Sequence, residues 1–241
     1  MQNGASFGAE VAFNTLITLK GRDFAPSGTR RSPGIPDFRN GFPKEMACVA
    51  VEVAGQRIPL TYVQADQINA QLPTSIGTGS MQFRVILNPD RPNQLVSDTG
   101  TFTVLNYAPA FFTFNGRSVA AVFPDGTIAA DPSVVAGART VKAGDVLQLY
   151  ATGLGPTEPV WQAGETPSRA SALRDRLSIT CGGVTVSAAD ITYAGIVPGS
   201  ISGLYQINVR VPSTVAEGEI PVTMTVGGVT SPAGTTIPVR R

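Results

Sequence analysis

The sequence resembles itself in order along its length, and this internal similarity constrains the fold more than any other feature. The clearest match is QINAQLP at residues 67–73 against QINVRVP at 206–212. In chain order the corresponding segments are 19–26 and 149–156, 51–55 and 179–183, Tyr62 and Tyr193, 67–73 and 206–212, and 101–104 and 236–239. The second half therefore reads as a diverged copy of the first, and we predict two domains, 1–107 and 108–241.

The repeated segments have the pattern of strands that bury one face. Ile68, Ala70 and Leu72 alternate with polar residues at period two, and residues 220–226 alternate in the same way. The turn-forming residues Gly, Pro and Asp separate such segments, as at residues 124–126. The sequence therefore predicts an all-β protein made of two tandem immunoglobulin-like β-sandwich domains.

Two local features complete the predicted architecture. Residues 119–122 and 127–130 flank the Pro-Asp-Gly turn, so we expect a β-hairpin added at the start of the second domain. Gly and Pro interrupt nearly every window long enough for a helix. Residues 170–176 are the one place where we expect a turn of helix.

Charge and hydropathy exclude several classes of partner. The 241 residues carry a net charge of +1, and only 15% of them are charged. This gives no basic field for nucleic acid or anionic lipid. The sequence has no apolar run of about 18 residues or more, so we expect no membrane insertion. The N-terminus shows no leader, and the low charge with 26 Gly and 19 Pro leads us to expect an extracellular or cell-surface protein whose leader is absent from this chain.

The residues that enzymes use are largely missing. The sequence has no histidine, which removes the usual general base and the commonest zinc ligand. It also has no P-loop, dinucleotide fingerprint or Gly-x-Ser-x-Gly motif. We therefore predict no enzyme activity, no catalytic residues, no cofactor and no metal. A glycosidase needs only two carboxylates, but Glu158 with Glu165, and Asp125 with Asp131, occur in turn-like sequence where acids are ordinary.

The same acids are poor candidates for calcium. Asp125 and Asp131 supply fewer oxygens than the six or more that Ca²⁺ requires. Cys48 and Cys181 are the only cysteines and lie in different halves. We expect them to be buried free thiols, while a bridge between the halves stays open because spacing alone does not settle it.

Four groups of residues are candidates for recognition or for packing. Trp161, the only tryptophan, follows a Pro-rich loop that the first domain lacks. It suits either a platform for a sugar or protein partner, or a lid over the end of the core. Phe111 and Phe112, with Phe114, suit either a partner contact or packing at the domain junction. The pairs Gln67/Asn69 and Gln206/Asn208 occur in both halves, so we expect them to stabilise the fold.

Three stretches carry a resemblance to a known family. They are residues 151–157 (ATGLGPT), 193–195 (YAG) and 203–212 (GLYQINVRVP). They resemble the uncharacterised C-terminal domain of many Solibacter and other acidobacterial proteins, and the layout is also similar to TIG/IPT-like immunoglobulin-like domains. The resemblance covers most of the chain, is strongest between residues 140 and 230, and implies exported bacterial proteins with no assigned activity.

These features lead to two functional hypotheses of different class. The first is a structural surface module that binds protein, either itself or other surface proteins, and assembles into a filament by strand addition. The low-charge segment 2–11 is the strand that we expect to be added. The alternative is a carbohydrate-binding or adhesin module with Trp161 as its platform, and a glycosidase is the third and weakest reading.

Overall fold

The computed structural model describes residues 1–38 and 41–240, and its regular structure is almost entirely β. Arg241, the last residue of the predicted second domain, lies outside this range. The only helices in the described part are two 3-10 turns, Ile35–Asp37 and Ala188–Asp190. No helix in that part is long and apolar enough to cross a membrane.

The first eleven strands form one β-sandwich. They are β1 (Gln2–Asn3), β2 (Val11–Ala12), β3 (Leu16–Lys20), β4 (Arg30–Arg31), β5 (Val49–Val53), β6 (Gln56–Arg57), β7 (Leu60–Gln64), β8 (Gln67–Gln71), β9 (Gly79–Leu87), β10 (Leu95–Val96) and β11 (Gly100–Leu105). One sheet has the order β1-β3-β8-β7-β4, and the other has the order β2-β11-β9-β5-β6 with β10 also paired to β9. Their inward faces enclose an apolar core that runs from Val11 to Val104.

The remaining strands form a second β-sandwich. They are β12 (Ala110–Phe111), β13 (Ala121–Val122), β14 (Val146–Thr152), β15 (Thr157–Glu158), β16 (Ser171–Leu173), β17 (Leu177–Cys181), β18 (Val184–Thr185), β19 (Ile191–Ile196), β20 (Tyr205–Arg210), β21 (Gly218–Val226), β22 (Val229–Thr230) and β23 (Thr236–Val239). One sheet has the order β12-β14-β20-β19-β16-β15 with β13 on β14, and the other has the order β18-β17-β21-β22 with β23 on β21. A separate apolar core runs from Phe111 to Val239.

The two sandwiches pair their strands in the same way. β3 pairs with β8 as β14 pairs with β20, and β7 pairs with β8 as β19 pairs with β20. Both of the last two pairs shift register just before the corresponding tyrosine, between Leu60 and Tyr62 and between Ile191 and Tyr193. The prediction of two tandem immunoglobulin-like sandwiches is confirmed.

The structure can be compared with two local predictions, the hairpin at the Pro-Asp-Gly turn and the helical turn over residues 170–176. Around the Pro-Asp-Gly turn the chain reverses, with an antiparallel bridge between Val122 and Ile128 and a hydrogen bond from the amide of Phe123 to the carbonyl of Thr127 (2.8 Å). The helical turn expected over residues 170–176 is wrong. That segment contains β16, which lies between β15 and β19, because neighbouring strands supply hydrogen bonds that local propensity does not foresee.

The sheet edges and the N-terminus do not favour strand addition. The strands at the ends of the four sheets, β1, β4, β2, β6, β12, β15, β18 and β22, each have two residues. Such short edges are one way in which proteins avoid edge-to-edge association. The expectation that segment 2–11 is a free donor strand is wrong, because Gln2–Asn3 pairs with β3, Val11 pairs with Val104, and Asn3 is buried.

Candidate functional site

A buried polar cluster joins the two sandwiches. The Gln71 side chain donates to Oδ1 of Asn14 (2.6 Å) and to Oγ of Ser202 (3.0 Å), and its carbonyl accepts from the amide of Gly164 (2.8 Å). Nδ2 of Asn14 donates to the carbonyl of Ser202 (2.7 Å). These side chains are buried, so each hydrogen bond satisfies a group that would otherwise be costly to desolvate.

Thr152 and Tyr205 extend this cluster from the second sandwich. The Thr152 hydroxyl accepts from the amide of Leu16 (2.9 Å) and donates to the carbonyl of Gly203 (2.8 Å). The Tyr205 hydroxyl donates to the carbonyl of Gly155 (2.5 Å) and accepts from Nδ2 of Asn14 (3.2 Å). Burial raises the pKa of Tyr205 to about 12. The cluster holds the sandwiches in one relative position.

Gly203 allows the two sandwiches to come this close. A Cβ atom at this position would lie 2.7 Å from the carbonyl oxygen of Asn14, against the first sandwich. Any side chain there would push the two sandwiches apart.

Trp161 belongs to the loop that crosses this junction. The side chain of Gln162, its neighbour, accepts from Oγ1 of Thr74 (2.7 Å), and the carbonyl of Gly164 accepts from the amide of Phe42 (2.7 Å). Trp161 is itself half-buried, and its indole Nε1 is shielded from solvent with no hydrogen-bond partner in the described part of the chain. Both predicted roles of Trp161, a platform for a partner and a lid over the end of the core, stay predictions.

The three phenylalanines at the start of the second sandwich have different environments. Phe111 is only 2% exposed, because β12 pairs with β14 and turns its ring into the core. The prediction that Phe111 contacts a partner is wrong for this reason, whereas Phe111 does lie beside residues 5–7 of the first sandwich, with which it lines a small cavity. Phe112 is half-buried, whereas Phe114 is 43% exposed.

Phe114 opens onto a groove, which we call the Phe114 groove. Its volume is about 420 Å³. Its lining residues are Phe114, Asn115, Arg117, Ser118, Ala130, Asp131, Val134, Val135, Glu219 and Pro238. Phe114 and the 66% exposed Val134 present the apolar surface, while Ala130 and Pro238 are buried. The volume lies within the range that is typical of ligand sites.

Side chains fix the two turns that form the walls. Oδ1 of Asn115 accepts from the amides of Arg117 (3.1 Å) and Ser118 (2.8 Å), and the amide of Phe114 donates to the carbonyl of Ser118 (2.9 Å). In the facing wall, Oδ1 of Asp131 accepts from the amide of Ser133 (2.9 Å). Such local side-chain bonds hold a turn in one conformation before a ligand arrives.

The groove offers both hydrogen-bond donors and acceptors. The Arg117 guanidinium has no ion pair or hydrogen bond within residues 1–38 and 41–240. Glu219 uses one oxygen to accept from Oγ1 of Thr236 (2.8 Å), which leaves the other. The Oδ2 atom of Asp131 lies 3.7 Å from the guanidinium of Arg240. Hydrogen bonds from Ser133 hold the pKa of the Asp131 carboxyl below its usual range. The charged residues of the lining are thus one cation, Arg117, and two acids, Asp131 and Glu219.

Of the four acids considered for catalysis, Asp125, Asp131 and Glu165 hold the turns in which they lie, whereas Glu158 lies on β15 and not in a turn. Oδ1 of Asp125 accepts from the amide of Thr127 (2.9 Å), and its pKa is lowered chiefly by this bond. Oε2 of Glu165 accepts from the amide of Gln162 (2.6 Å). Within the described ranges no three His, Cys, Asp or Glu side chains converge as metal ligands would.

The cysteines are free and differ in exposure. Cys181 is buried in the second core, and burial raises the pKa of its thiol to about 11. Cys48 is exposed, so the expectation that both are buried is wrong for this residue. The reason is its place with Ala47 at the tip of a hairpin that Met46 and Val49 close, where both residues have positive φ.

The residues that matter most at the junction were not predicted. Gln71 corresponds to Arg210 in the internal alignment, and Thr152 corresponds to Arg22. Each position is buried and polar in one sandwich and charged in the other, because only one copy of each strand faces the partner sandwich. The difference in residue type between the two copies at these positions was the sequence signal that could have identified the junction residues.

Comparisons with known proteins give limited information. No family model and no curated protein matches the sequence. The solved structures that match include SGBP-B of the Bacteroides ovatus mixed-linkage glucan utilization locus, in complex with a mixed-linkage heptasaccharide (15% identity, TM-score 0.38, covering 99% of this chain and 44% of that one). They also include the plexin A4 extracellular region (12% identity, TM-score 0.28, covering 94% and 18%). The chain thus spans less than half of either, and at these TM-scores neither similarity bears on its function.

Proposed function

We propose that the chain is a non-enzymatic binding module that presents the Phe114 groove on two firmly joined β-sandwiches outside the cell. The observation that carries this proposal is the groove itself, in which exposed apolar side chains and unengaged polar groups stand on turns fixed by Asn115 and Asp131. Pre-formed clefts of this composition are typical of ligand sites.

The absence of enzyme activity is part of the same proposal. A general acid needs a carboxyl group that is still protonated near the working pH. The pKa values of Asp125 and Asp131 are instead lowered by hydrogen bonds within their turns. We therefore expect no turnover by the wild-type protein, and substituting Asp125 or Asp131 should change no measured rate.

The position outside the cell is supported by composition, since only 15% of the residues are charged. Membership of the acidobacterial domain family stays a prediction. Antibody labelling of intact source cells should detect the protein without permeabilisation. Labelling that appears only after permeabilisation would contradict export.

The binding proposal is tested with two unbiased ligand collections. Wild type and the double variant Phe114→Ala/Val134→Asp are each screened against a random peptide display library and a glycan array. Both changed side chains are exposed, so we expect the melting temperature to stay within a few degrees. Wild type should bind ligands of one class, and the variant should lose them.

The matched control is Leu95→Ala/Val96→Asp on β10 of the first sandwich, which alters similarly exposed apolar side chains outside the groove lining. It should bind as wild type does. Wild type that binds nothing in either collection, or ligands that bind the groove variant unchanged, would refute the proposed function.

A further inference from the structure

The Phe114 groove combines one exposed aromatic ring with polar groups of both kinds. A pyranose ring has an apolar face of C–H groups, which packs on the negative face of an aromatic ring. Its hydroxyl groups each donate and accept hydrogen bonds. Arg117 supplies donors and Asp131 and Glu219 supply acceptors around Phe114, so the groove can satisfy both functions of a sugar hydroxyl.

Charge distinguishes between kinds of sugar. The groove lining carries one positive side chain, Arg117, and two negative ones, Asp131 and Glu219, and Arg240 lies 3.7 Å from Asp131 just outside the lining. A polyanion would be attracted by Arg117 but repelled by both Asp131 and Glu219 in the same lining. The balance of charge therefore favours a neutral ligand.

The covered edge of β23 argues against an extended peptide. A peptide that adds to a sheet needs free backbone groups along an edge strand. The outer side of β23 is already used, because the amide of Val119 donates to the carbonyl of Thr236 (2.9 Å) and that of Val141 to the carbonyl of Pro238 (3.0 Å). A peptide in this groove would have side-chain contacts only.

We propose that the Phe114 groove binds a neutral polysaccharide, with the ring of Phe114 as the stacking surface and Arg117, Asp131 and Glu219 as partners of the sugar hydroxyls. This inference rests on the proposed function and names the ligand of that site. The stacking residue proposed here is Phe114, and Trp161, the platform suggested by the sequence, is not part of this groove.

The test is affinity electrophoresis of the full chain through gels that contain soluble polysaccharides. The neutral probes are a mixed-linkage β-glucan, a xylan, a galactomannan and an α-glucan, and polygalacturonate is the charged probe. At least one neutral probe should retard wild type. Phe114→Ala should weaken that association about tenfold or more, while Phe114→Trp should preserve it. Leu95→Ala is the control for an exposed apolar side chain and should behave as wild type.

Three results would overturn the inference. They are retardation by polygalacturonate alone, equal weakening by Leu95→Ala and Phe114→Ala, and retardation by no polysaccharide. If no polysaccharide binds but library peptides depend on Phe114, the inference fails and the proposed function stands. If neither class binds, both fail.

Discussion

Tyr205 shows how a single hydroxyl contributes to the junction. It is the largest of the fully buried side chains in the described part of the chain, and its hydroxyl meets the carbonyl of Gly155 and the amide of Asn14. A buried phenol stays neutral because the phenolate would lose its hydration without gaining a cation. The folded protein therefore keeps this proton to a higher pH than the unfolded chain does.

This difference predicts a loss of stability in alkali. Tyrosine in the unfolded chain has a pKa of about 10, whereas in the fold the pKa of Tyr205 is about 12. Between these values the unfolded state releases the proton and the folded state retains it. The free energy of unfolding should thus fall by about 2–3 kcal/mol as the pH rises from about 10 to 12. Urea unfolding at a series of pH values measures this fall.

Tyr205→Phe separates this contribution from that of other tyrosines. The variant should lose about 1–3 kcal/mol at neutral pH, because the Gly155 carbonyl loses its donor. Its stability should then fall less steeply than wild type above pH 10. Tyr107 and Tyr193 also have raised pKa values and account for part of the fall, whereas Tyr150→Phe on β14 is the matched control. Parallel slopes for wild type and Tyr205→Phe would contradict the assignment.

At the scale of elements, the Gln–Asn pairs make the same hydrogen bond in both copies, and their predicted role in stabilising the fold can be tested. Nε2 of Gln67 donates to Oδ1 of Asn69 (2.7 Å), and Nε2 of Gln206 donates to Oδ1 of Asn208 (2.8 Å). The bond lies beside the register shift in both sandwiches. The bonds to the two asparagines differ, since Asn69 also accepts from the buried Thr18 (3.1 Å).

That extra bond makes the two copies unequal in energy. Asn208→Ala should lower the free energy of unfolding by about 1 kcal/mol, the usual value of one hydrogen bond. Asn69→Ala should cost about 1 kcal/mol more, because the Thr18 hydroxyl is left without its partner. Chemical denaturation of both variants measures the difference, and each serves as the control for the other. Equal costs, or a larger cost for Asn208→Ala, would contradict this account.

The strands were predictable where their pattern is local. The alternation at residues 67–72 identifies β8 because Ile68 and Ala70 must face the core. β16 was missed because three residues carry too little alternation, and its neighbours β15 and β19 determine its conformation. The hairpin tip at Cys48 was missed because nothing in Ala47–Cys48 marks a turn with two positive φ values.

At the scale of the whole molecule, sites that combine distant segments could not be predicted. The Phe114 groove brings together residues near 115, 131, 219 and 238, and their approach depends on how β21 and β23 pack. Phe111 and Phe114 look alike in the sequence, yet β12 turns one into the core and leaves the other exposed. The junction is similar in this respect, since Gln71 meets its partners only when both sandwiches have formed.

Gln71 therefore links the stability of the two sandwiches. Gln71→Ala removes three hydrogen bonds and leaves Gly164, Asn14 and Ser202 short of a partner in a buried site. Each unsatisfied group costs about 1–3 kcal/mol, and some of this cost returns if water enters. Two domains that share so large an interaction should unfold together. Calorimetry should show one transition for wild type and two separate transitions for Gln71→Ala.

Gln82→Ala tests whether the effect belongs to the junction. Gln82 is an exposed glutamine on β9 of the same sandwich, with no side-chain hydrogen bond in the described part of the chain. Its loss should leave the single transition and its temperature nearly unchanged, because surface substitutions rarely exceed about 0.5 kcal/mol. Wild type that already unfolds in two steps would show that the buried cluster does not couple the sandwiches. A single, merely cooler transition in Gln71→Ala would show that contacts elsewhere at the junction are sufficient for coupling.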